Sequence, residues 1–232
     1  MLKRILTGCN CIDSNIDGGI SPETVTLVYG EPETGKSTLA TQCAVNCAMQ
    51  GYKTLFVDCD GMFSTKRLSQ LSGGKFEEIA ELIILVRPID FKEQTALVDR
   101  LLDYTARNTG LVVIDTVTSL YRARVSESSG KAFGLNRELN RQMALLAQTA
   151  KIQKIPILVT SQVRGVLDQP LGGVEPVATR VLKFWADTII AMKPTENPRI
   201  IKAVLEKSPN IAEVAFCHLR IEENGIHDSP FH

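Results

Sequence analysis

The sequence predicts an α/β fold: a largely parallel central sheet flanked by helices, with a β-rich C-terminal part. Three observations predict it. Apolar β-type runs alternate with helix-patterned stretches from Val25 to Thr160, the order of strand–helix–strand units. Three of those runs end in polar groups, at Asp58, at Asp115 and at Ser161-Gln162, which gathers them at the carboxyl edge where open α/β sheets bind ligands. Beyond Asp187 the apolar runs follow one another with no helical stretch between them.

In chain order, residues 7–22 (TGCNCIDSNIDGGISP) read as a short helix or turn ahead of the first core strand, Val25 to Tyr29. A helix follows with Leu39, Ala40, Cys43, Ala44 and Cys47 on one face, closed by Gly51. Lys53 to Asp58 is a buried strand. Ser64 caps a helix over Thr65 to Leu71, ended by Gly73-Gly74. Leu82 to Arg87 is an apolar run stopped by Pro88. Asp90-Phe91-Lys92-Glu93 forms a capping box, opening a helix with Ala96, Leu97, Leu101 and Tyr104 inward. Gly110 to Asp115 is a strand, and residues 121–134, rich in Ser and Gly, read as a mobile loop. A long amphipathic helix spans about Leu135 to Gln153, burying Leu139, Met143, Leu146 and Ala150. Ile157 to Thr160 is the next strand, and residues 163–179 read as a long loop without period. Strands over Asp187 to Met192, Ile200 to Glu206 and Val214 to Ile221 complete the chain, with Glu223-Asn224-Gly225 as a tight turn.

The chain has 232 residues, enough for one sizeable α/β domain, and 26 basic residues balance 26 acidic ones. Nucleic-acid binding therefore depends on local patches rather than on global charge. No apolar run approaches a membrane span, and MLKRILTGCN has no apolar core of a signal peptide. The six cysteines form no paired C-x₂-C array, and they read as reduced packing residues of a cytoplasmic protein.

The chemistry sits in Gly30-Glu31-Pro32-Glu33-Thr34-Gly35-Lys36-Ser37-Thr38, a full G-x-x-x-x-G-K-[ST] loop between a strand and a helix. Its glycines permit the tight turn that aims backbone N–H groups at phosphate oxygens, and the helix start adds positive potential. Lys36 would reach the β- and γ-phosphates. Ser37 would offer its hydroxyl to Mg²⁺, and Asp115 would hold a water on that ion.

The order of these motifs resembles the RecA/RadA recombinase superfamily over nearly the whole chain, and within it the short archaeal branch. TGCNCIDSNIDGGI, GEPETGKST, FVDCDGMFSTKRL, DFKEQ, LVVIDTVTSLYRA, LNRELNRQM, IPILVTSQV and KFWADTIIAMK carry the resemblance. It implies a RecA-like ATPase core over residues 1–232, with no counterpart of the family's N-terminal helical DNA-binding domain. It implies that Asp60 stands where the family has its catalytic glutamate, which handles the attacking water. It further implies that Arg67 stacks on adenine and that Gln162 senses the γ-phosphate. Residues 122–134 and 163–179 fall where the family has its two DNA-binding loops. Arg122, Arg124, Lys131, Arg137, Arg141 and Arg164 are then the DNA candidates, although Arg137 and Arg141 read equally as a solvated helix face.

Asp60 is one methylene shorter than glutamate, and a misplacement of about 1 Å can cost on the order of 10²-fold in rate. The expectation is an ATP- and Mg²⁺-binding accessory protein of DNA repair and homologous recombination. It would be cytoplasmic and nucleoid-associated, and would hydrolyse ATP slowly with little DNA stimulation and no strand exchange of its own. Its expected partners are single-stranded or branched DNA, a RadA-like recombinase or other recombination proteins, and further copies of itself, with no membrane. The alternatives are an active, filament-forming, DNA-dependent ATPase recombinase and a small-molecule phosphate-loop kinase.

Overall fold

The structure, a computed structural model, describes residues 4–105, 108–127, 132–166, 173–209 and 214–229. Its elements in order are α1 (Asn10–Asn15), β1 (Val25–Gly30), α2 (Lys36–Met49), β2 (Lys53–Asp58), α3 (Thr65–Leu71), α4 (Phe76–Ala80), β3 (Ile83–Val86), α5 (Phe91–Asp99), α6 (Leu101–Tyr104), β4 (Thr109–Asp115), α7 (Ser119–Glu127), α8 (Ala132–Gln153), β5 (Ile157–Ser161), β6 (Val163–Val166), β7 (Gly173–Pro176), α9 (Thr179–Trp185), β8 (Thr188–Pro194), β9 (Ile200–Lys207), β10 (Ala215–Glu222) and β11 (Gly225–Asp228). One sheet has the order β11-β10-β9-β8-β1-β5-β4-β2-β3. The six strands from β8 to β3 in that order pair in parallel, and β9, β10 and β11 add antiparallel pairings. The RecA-like arrangement with a β-rich C-terminal part is therefore present.

Both faces of the parallel strands are covered, which is why their sequences are apolar without alternation. Leu27, Leu55, Val57, Val112, Ile114 and Val159 face one core with Leu139, Met143 and Leu146 of α8. Val28, Phe56, Leu111, Val113 and Leu158 face the other with Leu39, Cys43 and Cys47 of α2 and Ile12 of α1. β1 runs at the centre, between β5 and β8, so the loop leaving its carboxyl end lies amid the ends of its neighbours.

Four expectations are corrected. Residues 119–127 form α7, where a loop was expected from 121 onward; Ser126 misled, but Leu, Arg, Ala and Glu are good helix formers. Arg122 N donates to Thr118 O at 3.0 Å and starts the helix. Within the expected loop of 163–179, β6 and β7 pair antiparallel, favoured by β-branched residues such as Val163; residues 167–172 lie outside the described residues. Ala96 and Tyr104 point outward, because the helix breaks at Arg100 and its first half buries Phe91, Gln94, Leu97 and Val98 instead.

The cysteines differ as well. Cys11 of α1 is disulfide-bonded to Cys217 of β10, 206 residues away, with Cα atoms 6.0 Å apart. Cys9, Cys43, Cys47 and Cys59 are free and buried, as expected of packing residues. The pairing was invisible in the sequence because only the folded sheet brings α1 and β10 together.

Candidate functional site

The loop after β1 is shaped by steric limits at its glycines. A Cβ on Gly30 would strike the Met192 carbonyl oxygen of β8 and approach Thr34 Oγ1 to 2.9 Å. Gly35 has φ +85°, and a Cβ there would lie 2.9 Å from Ile226 Cδ1 and 3.2 Å from Ile221 Cδ1. Only glycine fits either position without displacing a neighbour. The loop is thus packed directly against the C-terminal hairpin β10–β11. Gln42 of α2 fastens the same contact. Its Nε2 donates to Thr7 O at 2.8 Å and to Ile226 O at 3.0 Å, and its Oε1 accepts from Ile226 N at 2.8 Å. Asp228 caps α1 by accepting from Asn10 N at 2.9 Å and Cys11 N at 3.0 Å.

Within the loop, Thr34 Oγ1 and Lys36 Nζ both donate to Glu31 O, at 2.9 and 2.6 Å. Lys36 is buried, and that burial lowers its pKa, opposed by the charges of Asp115, Asp60 and Glu31. Asp115 closes β4. Its carboxylate accepts a short hydrogen bond from the Thr160 hydroxyl of β5. Burial raises its pKa; the Thr160 and Ser37 hydroxyls act against that, and Asp60 and Asp58 add to it. Its peptide bond to Thr116 is cis.

Asp60 lies beside this pair on the loop after β2, and Thr116 Oγ1 donates to its Oδ1 at 3.4 Å. Gln162 follows β5, and its Oε1 accepts a short hydrogen bond from Arg122 Nη1 of α7. Ser37, Thr38, Phe56, Met62, Phe63 and Arg67 line a recess of about 170 Å³ that also reaches Thr41, Ser64 and Asp115. Arg67 is held there by its Nη1 on Glu223 O at 2.7 Å and its Nη2 on Glu222 O at 2.8 Å.

The structure therefore brings Lys36, Ser37, Asp60, Asp115 and Arg67 to one edge of the sheet. The oxygen donors of Ser37 and Asp115 suit Mg²⁺, a hard cation that keeps waters and takes most other ligands from phosphate. Among the described residues no group of three or more His, Cys, Asp or Glu could hold a metal ion by itself.

The nucleic-acid candidates are more scattered. Arg122, Gln162, Arg164 and Arg180 line an open cavity of about 770 Å³ with Tyr121 and Asn136. Arg124 pairs with Glu127 at 2.8 Å. Arg141 pairs with Asp99 at 2.6 Å and Glu138 at 2.7 Å, away from that cavity's lining. Arg164 lies 3.9 Å from Glu175. Arg137 is exposed on α8, and Lys131 lies outside the described residues.

Sequence reasoning placed Asp58 at the sheet's carboxyl edge but missed its pairing with Arg87, and missed the contact of Thr160 with Asp115. Asp58 accepts from Met62 N, Phe63 N and the Arg87 guanidinium. The available signal was a strand ending in Asp beside an apolar run ending in Arg-Pro.

Among the described residues no helix is long and apolar enough to cross a membrane. The chain is 31% identical over 215 residues to the DNA repair and recombination protein RadB of Methanococcus maripaludis strain C7, covering 93% of this chain and 96% of that protein. It is 36% identical to the protein of the same name from Thermococcus kodakarensis, covering 96% of this chain and 98% of that one. A solved structure described as the RadB recombinase superposes with a TM-score of 0.83 at 34% identity, covering 97% of this chain and 99% of that one. With the Rad51 family profile matching residues 1–229 as well, the chain belongs to the Rad51 family.

Proposed function

We propose that this chain is an ATP- and Mg²⁺-binding accessory protein of DNA repair and homologous recombination. It acts as a single RecA-like ATPase domain in the cytoplasm, at the nucleoid. Its partners are single-stranded or branched DNA, a RadA-like recombinase or other recombination proteins, and further copies of itself. The observation that carries the reading is the convergence of Lys36, Ser37 and Asp115 at the carboxyl ends of β1 and β4, with Asp60 alongside. The names of the relatives, DNA repair and recombination protein, support the cellular role.

In this reading the backbone of residues 30–37 cradles the β- and γ-phosphates, and Lys36 leaves Glu31 O to meet them. Ser37 and Asp115 would hold Mg²⁺, which would neutralise charge developing on the phosphates. Asp60 orients the attacking water, Gln162 meets the γ-phosphate and Arg67 flanks the base. Turnover is slow because Asp60 reaches less far than glutamate would. Strand exchange is left to another protein.

Binding of a fluorescent ATP analogue tests the anchor. Lys36→Ala should weaken it on the order of 10²-fold, the loss of a charge-assisted contact of about 3 kcal/mol. Unchanged affinity would end the reading. The Arg122–Gln162 hydrogen bond favours one alternative, a DNA-dependent ATPase that forms filaments. There, a nucleic-acid phosphate drawing off Arg122 would release Gln162, and electron microscopy with ATP and DNA would show the filaments.

A further inference from the structure

Asp58 ends β2 with its side chain 1% exposed. Its Oδ1 accepts Met62 N at 3.0 Å, and its Oδ2 accepts Phe63 N at 3.1 Å. The same Oδ2 accepts Arg87 Nε at 3.0 Å and Arg87 Nη2 at 2.8 Å. A carboxylate this buried is tolerated only when it is both charge-paired and hydrogen-bonded, and here it is both.

The sheet register creates the pair. Val57 is the partner of Val86, so the next residue on each strand, Asp58 and Arg87, meet where β2 and β3 end. Pro88 keeps Arg87 out of helical backbone and prevents β3 from continuing. The guanidinium is therefore set over the end of β2 by backbone constraints on both sides.

These hydrogen bonds bracket Asp60. Asp58 begins the loop, Met62 and Phe63 end it, and one side chain grips both ends. The middle of the loop is tied more loosely. Cys59 N donates to Asp115 O at 2.8 Å, and Asp60 Oδ1 accepts a long 3.4 Å contact from Thr116 Oγ1. Beyond the latch, Phe63 packs edge-on against Phe56 with centroids 4.9 Å apart, and Ser64 caps α3.

We propose that Asp58 and Arg87 are positioning residues, a carboxylate–guanidinium latch that closes the 58–63 loop and sets Asp60 at the water of the hydrolytic step. This rests on the reading of Asp60 given above. A short acid makes the latch matter more, since Asp60 has one rotatable bond fewer than glutamate with which to correct a misplaced backbone.

The test measures ATP turnover and fluorescent-ATP affinity for wild type, Arg87→Ala, Arg87→Lys and Asp60→Asn. Arg87→Ala should lower kcat by roughly 10- to 10²-fold, the scale of a 1 Å displacement, while affinity stays within about threefold. Arg87→Lys, which keeps the charge and one donor, should be intermediate, and added guanidinium ion should restore part of the Ala variant's rate. Wild-type turnover no faster than that of Asp60→Asn removes the Asp60 reading, and the latch with it. If Asp60→Asn is slow yet both Arg87 variants keep the wild-type kcat, the latch alone is overturned. Rate and affinity falling together in Arg87→Ala would mean that the pair only maintains the fold, and would overturn it too. Should Arg87→Ala fail to fold, Arg87→Lys decides: a lowered kcat at unchanged affinity upholds the latch, and a wild-type kcat overturns it.

Discussion

The nucleotide edge and the arginine-bearing side of the molecule use charge in opposite ways. At the edge, Lys36, Asp60 and Asp115 are brought together around a gap, and Lys36 Nζ meets only a backbone carbonyl, Glu31 O, in the hydrogen bonding described. Along α7, α8 and β6, four arginines have acidic or amide partners of their own: Arg122 with Gln162, Arg124 with Glu127, Arg141 with Asp99 and Glu138, Arg164 near Glu175. In the proposed reading, a triphosphate entering the first region would have to draw Lys36 only from one backbone carbonyl. A nucleic-acid phosphate entering the second must displace intramolecular partners. Exposed pairs of this kind are worth at most about 1 kcal/mol each, so displacement is feasible but reduces the net gain. Residue type alone therefore does not show that the cations of the second region are already engaged.

The comparison can be broken most sharply at Asp115. Its raised pKa means that the folded state holds the proton more tightly than the unfolded chain does. The ionised carboxylate therefore subtracts from stability at neutral pH, and that penalty is relieved as pH falls toward the folded value. Asp115→Asn removes the penalty while keeping an acceptor for Thr160. It should raise the melting temperature of the nucleotide-free protein and yet weaken Mg²⁺-dependent ATP binding on the order of 10²-fold, the scale of a lost metal-site contact. Calorimetry and titration on one preparation check both signs, and a variant both less stable and unchanged in binding would contradict the account.

A smaller effect concerns the packing of the phosphate loop. Cys11–Cys217 ties α1 to β10, and the β10–β11 hairpin supplies Ile221 and Ile226 against Gly35. Reduction, or the double variant Cys11→Ser with Cys217→Ser, should lower stability by about 2–4 kcal/mol through loss of a long covalent loop. ATP with Mg²⁺ should recover part of that loss, since a ligand that binds only the folded state adds stability by mass action. Thermal melts with and without a dithiol reductant measure it.

The smallest expected effect separates two arginines. Arg122→Ala should weaken single-stranded DNA binding and reduce the salt slope by about 0.7, one phosphate contact on a single strand. Arg141→Ala should leave the slope unchanged and shift stability by less than about 1 kcal/mol, because its charge is already matched on the surface. Equal slopes for the two variants would erase the distinction between an amide-paired and a carboxylate-paired cation on this side.

Much of the fold was legible because local signals agreed with the tertiary outcome. Lys53 to Asp58, Thr65 to Leu71 and the Ser64 and Asp90 caps appear where side-chain pattern and capping chemistry put them. The strand–loop–helix setting of residues 30–37 was legible for the same reason, since the motif occupies eight consecutive residues between β1 and α2. What was missed depends on distance in sequence. Asp58 meets Arg87 only through the β2–β3 register, Thr160 meets Asp115 only because β4 and β5 are adjacent, and Cys11 meets Cys217 across nearly the whole chain. The loop expected at residues 121–134 failed differently over 121–127, where Ser126 was weighed above the helix formers around it and α7 is the result; residues 128–131 lie outside the described residues.

Steady-state ATP hydrolysis at low salt, with and without single-stranded DNA, for wild type and Asp60→Glu, tests the central claim most directly. The account predicts slow wild-type turnover that DNA scarcely changes, and a rise of roughly tenfold or more when the longer acid restores reach. Brisk, strongly DNA-stimulated turnover in wild type, with no gain in Asp60→Glu, would contradict it and make the chain a DNA-dependent ATPase in its own right.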